Sequence, residues 1–196
     1  MDLSVRRTEN ERGVDAMTDS GVGTDAASLV SGAVGSWVLD TSATTVSLGT
    51  KAMWGLAKVK GTLSAAEGSG TVTPEGTVTG KLVVDASSIN TKSAKRDEHL
   101  KGSDFFEVEK YPTFTYEATS ATVAADGKVT LDGTLTVRDQ THPLALVATV
   151  SGAGSDVLTV QADSEIDRSK WGVAWAKMGA GLIIKLSISA KFTKVA

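Results

Sequence analysis

From Ser36 onward, apolar and polar side chains alternate one by one along runs broken by glycine. The cleanest run sets Val129, Leu131, Gly133, Leu135 and Val137 against Thr130, Asp132, Thr134 and Thr136. A period of two sends alternate side chains to opposite faces, so each such run makes a half-buried strand. A surface helix would instead repeat its apolar residues every three to four positions. Trp37-Val38-Leu39 leading into Thr44–Thr50 predicts a first strand. Met53–Ser64 predicts a second, bent at Gly55 and Gly61, and Val78–Asp85 a third. Pro112 opens a fourth, with Phe114, Tyr116 and Ala118 on one face. After the fifth, Pro143–Val150 is apolar on both faces and predicts a strand covered on its outside. Leu158–Ile166 and Leu182–Phe192 complete eight strands. Thr73-Pro74-Glu75-Gly76, Asp126-Gly127 and Arg138-Asp139-Gln140-Thr141 have turn composition, which joins neighbours as hairpins and predicts an antiparallel sheet. Eight such strands form either a sandwich or a closed barrel. Periodicity alone leaves open whether the interior is hollow or solid.

The alternation fails between Thr91 and Pro112, where nearly half the residues are charged. Asp97-Glu98-His99-Leu100 reads as a turn or two of helix, and Asp104-Phe105-Phe106 places two large aromatic side chains side by side. A charged segment between strands crosses an end of the sheet, and adjacent phenylalanines need an apolar space there.

Charge and residue counts exclude several functions. Residues 1–35 hold six of the 23 acidic and three of the 20 basic residues, leaving seventeen of each in the body. A body without net charge or a basic run does not neutralise phosphates, so nucleic acid is not an expected partner. The chain has no cysteine and only His99 and His142, which leaves no thiolate site and no histidine-rich metal centre. No apolar run approaches the roughly 20 residues of a transmembrane helix. Residues 1–35 lack periodicity and predict a disordered tail, with the domain spanning residues 36–196. Ala26–Val34, the only candidate core of a secretory signal, is short, poor in large side chains and preceded by acids, so a cytoplasmic location is expected.

KRDEHLKGSDFFEVEKYPTFTYEAT, GTLTVRDQTHPLALVATVSG and IDRSKWGVAW together resemble the YceI-like family. The resemblance covers about Ser36 to Lys194, and its centre is Arg96-Asp97-x-His99-Leu100, Asp104-Phe105-Phe106 and Lys110-Tyr111-Pro112. It implies an all-β fold: an eight-stranded antiparallel lipocalin-like barrel, with a short helical crossing, around a hydrophobic tunnel. The implied guest is an isoprenoid lipid, a polyprenyl or quinone-type tail, held without catalysis and without a cofactor. The chain departs from the family at Ala43-Thr44-Thr45, where a His-Ser pair is common, and at Leu48-Gly49-Thr50-Lys51-Ala52, where a Phe and an Arg-His pair are common. These departures withdraw the polar head-group contacts and leave the apolar tunnel.

In a hollow barrel the expected ligand contacts are the bulky residues Trp54, Phe105, Phe106, Phe114, Tyr116, Trp171 and Trp175. The inward aliphatics Leu82, Leu131, Leu135, Leu146 and Leu186 join them. Each has an alternative role as plain core. The Gly-rich segment Lys170–Gly181 is either a mobile lid or a permanent seal. Asp97 and His99 are expected to hold the crossing by hydrogen bonds, with Arg96 paired to a carboxylate, and His142 is expected in a turn. Lys51, Lys58 and Lys60 either meet an anionic head group or line a solvated face. Two other functions fit the same residues: an enzyme acting on an isoprenoid head with His99 as acid or base, and a protein-interaction module with a solid core. A homodimer is an open assembly state.

Overall fold

The computed structural model describes residues 26–195. Eight antiparallel strands close into one barrel in which every strand pairs with its sequence neighbours and β1 also pairs with β8. They are β1 (Gly35–Ala52), β2 (Ala57–Val72), β3 (Val78–Asn90), β4 (Thr113–Val123), β5 (Val129–Val137), β6 (Gln140–Ser151), β7 (Val157–Asp167) and β8 (Ile183–Lys194). Helix α2 (Ala94–Lys101) lies in the crossing between β3 and β4. The expected fold class is therefore the observed one.

Closure needs strands that coil, and β1 shows how the sequence provides this. Trp37 and Leu39 are buried at odd positions, Val46 at an even one, and the pairing shifts between Asp40 and Thr45. Asp40 Oδ1 accepts bonds from the Ser42 amide (3.1 Å), the Ser42 hydroxyl (2.6 Å) and the Ala43 amide (3.1 Å), which holds the bulge. The bulge changes the parity of the strand and adds local twist, so both halves turn their apolar side chains inward.

Several expectations require correction. Residues 1–25, most of the predicted tail, lie outside the described residues. Ala26–Ala33 is helix α1, and its Leu29 and Ala33 are buried. The apolar residues that make Ala26–Val34 look like a weak signal core here cover the lower barrel end. There the Gly154 amide donates to Gly32 O (2.8 Å) and the Trp37 indole to Ala33 O (2.8 Å). Met53–Leu56 is the β1–β2 turn, not strand, because Met53, Trp54 and Gly55 all adopt positive φ. His142 lies within β6 opposite Leu135, since the chain has already reversed at Arg138-Asp139. The outer face of β6 is uncovered, with Pro143 and Ala145 exposed and Val147 at 50 % exposure.

Candidate functional site

The barrel is hollow. A cavity of about 360 Å³ occupies its upper half, under α2 and the 168–182 connection. A second space of about 170 Å³ lies toward α1. This settles the alternative that periodicity leaves open in favour of a hollow barrel, because the inward side chains do not fill the bore of a closed eight-stranded sheet. Leu82, Tyr116, Leu146 and Ile188 border both spaces and form a waist between them.

The hydroxyl of Tyr116 explains the waist. It donates across the β5–β6 wall toward Leu131 O (2.9 Å) and Leu144 O (3.2 Å), which lays the ring along the inner surface. On the other side of β5, Gly133 opposes Ala118 of β4, where an added Cβ would sit only 2.2 Å from Glu117 O. Burial, aided by the negative charge of Asp132, pushes the Tyr116 phenol up to about 12, so it stays a neutral donor at ordinary pH.

Most of the expected contact residues come together on the upper cavity: Leu82, Phe105, Phe106, Phe114, Tyr116, Leu135, Leu146, Trp171, Trp175 and Leu186. Leu131 borders the lower space instead. Trp54 borders neither and is 82 % exposed at the tip of the β1–β2 turn. Leu48, Ile166, Val173 and Ile184, none of them among the expected contacts, also line the upper cavity, with Thr91 and Arg168 at its end.

The crossing is held from Thr91. Asp97 Oδ1 accepts from the Thr91 amide (2.9 Å) and hydroxyl (2.5 Å), while Arg96 donates to Thr91 Oγ1 (2.7 Å) and Thr91 O (2.8 Å). Arg96 therefore bonds a threonine rather than the expected carboxylate. Both charged side chains converge on one buried residue whose polar atoms lie beyond the sheet ladder. Burial alone would raise the Asp97 carboxyl, but the bonds from Thr91, helped by Arg96 and Lys101, hold it below its ordinary value of 3.8. A depressed carboxyl stabilises the fold above its unfolded-state pKa and loses that effect as pH falls through its folded-state pKa. Asp97→Ala is expected to cost about 2 kcal/mol by stranding the Thr91 donors. Denaturant titrations at pH 7 and pH 3 check this, with the gap between parent and variant narrowing at the lower pH.

His99 packs edge-on against Phe105 (5.1 Å between centroids) and Trp175 (4.9 Å), with Nε2 3.2 Å from Asp104 Oδ2. Arg168 is buried at 8 % exposure and donates to Gly181 O (3.0 Å), Trp175 O (2.6 Å) and Val173 O. Its carbon centre stands 5.2 Å from the Phe105 centroid. Burial lowers its pKa, Asp167 opposing, and it carries no ion pair among the described residues. One guanidinium thus pins three points of the connection that roofs the cavity. Among the described residues no cluster of three or more His, Cys, Asp or Glu is arranged to hold a metal ion.

The YceI-like domain family model matches residues 37–193. The chain belongs to the YceI-like family. A UPF0312 protein of Vibrio cholerae is 30 % identical over 123 residues, 61 % of this chain and 65 % of the relative. One of Vibrio vulnificus is 36 % identical over 75 residues, 38 % of this chain and 40 % of the relative. The matches thus span less than two thirds of these relatives. Burkholderia cenocepacia BcnA superposes with a TM-score of 0.67 at 17 % identity, covering 78 % of this chain and 98 % of that structure. A polyisoprenoid binding domain from Saccharophagus degradans, implicated in plant cell wall breakdown, gives 0.63 at 15 % identity, covering 81 % and 98 %. The Campylobacter jejuni YCEI protein gives 0.60 at 22 % identity, covering 72 % and 88 %. At these identities the likeness is one of fold. No helix among the described residues of this YceI-like protein is long and apolar enough to cross a membrane.

Proposed function

We propose that this YceI-like protein binds one isoprenoid lipid, a polyprenyl or quinone-type tail, inside the barrel. The observation that carries the reading is the cavity of about 360 Å³, walled by aliphatic and aromatic side chains from all eight strands. Its polar neighbours, Thr50, Thr91, Arg96, His99, Arg168 and Lys177, belong to the upper strand ends and the connections over them. Such a site takes a hydrocarbon chain end-on and leaves a polar head at the upper rim. Moving the chain out of water supplies about 0.8 kcal/mol per buried methylene, before ordering costs. Affinity then follows tail length more than head chemistry. The polyisoprenoid named for the Saccharophagus degradans domain supports the same class of guest.

We read the site as one for binding rather than catalysis. The ring of His99 packs against Phe105 and Trp175 with Nε2 3.2 Å from Asp104 Oδ2 at the upper rim, while the wall along which a chain would lie is hydrocarbon. Native mass spectrometry of protein incubated with a polyprenol is expected to show one added lipid. Emission from Trp171 and Trp175, both on the cavity wall, is expected to change on titration. Absence of both signals across polyprenols and quinones of several lengths would sink the proposal.

A further inference from the structure

The turn between β1 and β2 exposes three large apolar side chains within four residues: Met53 (55 %), Trp54 (82 %) and Leu56 (87 %). The backbone there does not favour them. Met53 and Trp54 adopt φ of 52° and 55°, a left-handed region that suits glycine or asparagine. The turn is closed by the Gly55 amide on Ala52 O (3.1 Å) and the Leu56 amide on Met53 O (3.2 Å), so the tip is structured. Gly179 of the connection lies close under the tip, where an added Cβ would sit 3.0 Å from the Trp54 ring, yet most of that indole and of the Met53 and Leu56 side chains stays in solvent.

Just below the tip, Lys51 and Lys58 stand directly opposite one another on the outer face, and Lys60 follows two residues on. Like charges in opposed positions destabilise a strand pair. Among the described residues no acidic side chain forms an ion pair with Lys51, Lys58 or Lys60. The arrangement is therefore an apolar point above an unneutralised basic belt.

We propose that this end of the barrel docks on a lipid bilayer containing anionic phospholipids. Trp54, Leu56 and Met53 enter the interfacial layer, and Lys51, Lys58 and Lys60 lie at the level of the phosphates. Tryptophan concentrates at that depth, lysine stems extend along it, and anionic head groups attract such a belt. The shape selects a bilayer over a protein partner. A four-residue tip falls far short of the roughly 800 Å² per partner that a stable protein interface buries, whereas a fluid layer closes around it. The docked face includes the cavity rim, since Ala52 and Gly181 line the cavity and the Gly181 amide bonds Lys51 O (2.8 Å).

Cosedimentation of the full chain with vesicles tests this, using phosphatidylcholine alone and phosphatidylcholine with about one third phosphatidylglycerol. Neither vesicle contains an isoprenoid, so the result is independent of the cavity's guest. Binding to the anionic vesicles is expected to be about ten-fold stronger or more, with a blue shift in emission as Trp54 leaves water. The Trp54→Asn/Leu56→Ser variant replaces exposed side chains, and asparagine suits the local φ, so its thermal melting is expected to match the parent. It is expected to lose both binding and blue shift. Lys51→Gln/Lys58→Gln/Lys60→Gln is expected to fall to the phosphatidylcholine level. Three outcomes overturn the proposal: binding to neither vesicle, equal binding by parent and tip variant, or a blue shift that tracks self-association in sedimentation rather than vesicles.

Discussion

Leu48→Trp combined with Ile184→Trp is expected to lower isoprenoid affinity about fifty-fold while the barrel stays folded. Both side chains line the upper cavity from neighbouring strands, where β1 pairs with β8 at Thr50 and Ile184. Two indoles directed into a void of about 360 Å³ take space that the hydrocarbon guest would occupy. Excluding about three methylenes removes about 2.4 kcal/mol of transfer free energy, which is the stated fold-change. Overpacking is costly where a core is already dense, but here the added atoms enter empty space, so stability is expected to hold within about 1 kcal/mol. Val147→Trp on the exposed face of β6 serves as the control and should bind as the parent does. Calorimetry against one polyprenol, paired with thermal melts, makes the comparison. Unchanged affinity in the blocked variant, with the fold intact, would show that the guest lies elsewhere.

Arg168→Met is expected to destabilise the protein by about 3 kcal/mol, the largest effect of any single substitution considered. Methionine fills similar space but donates nothing, so the carbonyls of Val173, Trp175 and Gly181 lose a common charged partner. For a chain of this size that corresponds to a fall in melting temperature of about 10 °C. The loss is also expected to be local. Amides 173–181 should exchange faster than those of the β1–β8 pair, and the emission of Trp175 should move to the red. Arg168→Lys is expected to recover only part of the loss, because one ammonium cannot hold three divergent carbonyls as the planar fork does. A uniform loss of protection across the barrel would mean that Arg168 supports the whole fold rather than the roof.

The contrast between these two experiments separates what the sequence makes visible from what it hides. Leu135 and Leu186 are legible as cavity residues because strand periodicity states which side chains share the inner face, whereas Leu146 lies in a run apolar on both faces and shows its direction only in the structure. Arg168 sits in the legible segment IDRSKW, yet nothing local says where its guanidinium goes. Its acceptors lie five to thirteen residues on, in an irregular connection with no period to read. Trp54 shows the opposite failure: a tryptophan within an apolar stretch is a reasonable wall residue until Met53 and Gly55 prove to be the turn itself. Helix α1 is hidden for a similar reason. Eight residues of Ala, Ser, Gly and only two larger aliphatics, Leu29 and Val30, have little helical drive of their own and take shape against the barrel end they cover.

By itself, the sequence determined the all-β class, the eight antiparallel strands and the charged crossing, because alternation and turn chemistry act between near neighbours. Whether the enclosed space is full or empty was decided only in three dimensions. That depends on the circumference of the closed sheet set against the summed volume of its inward side chains. No stretch of chain carries that comparison, and the surplus of space over side chain is what the proposed lipid occupies.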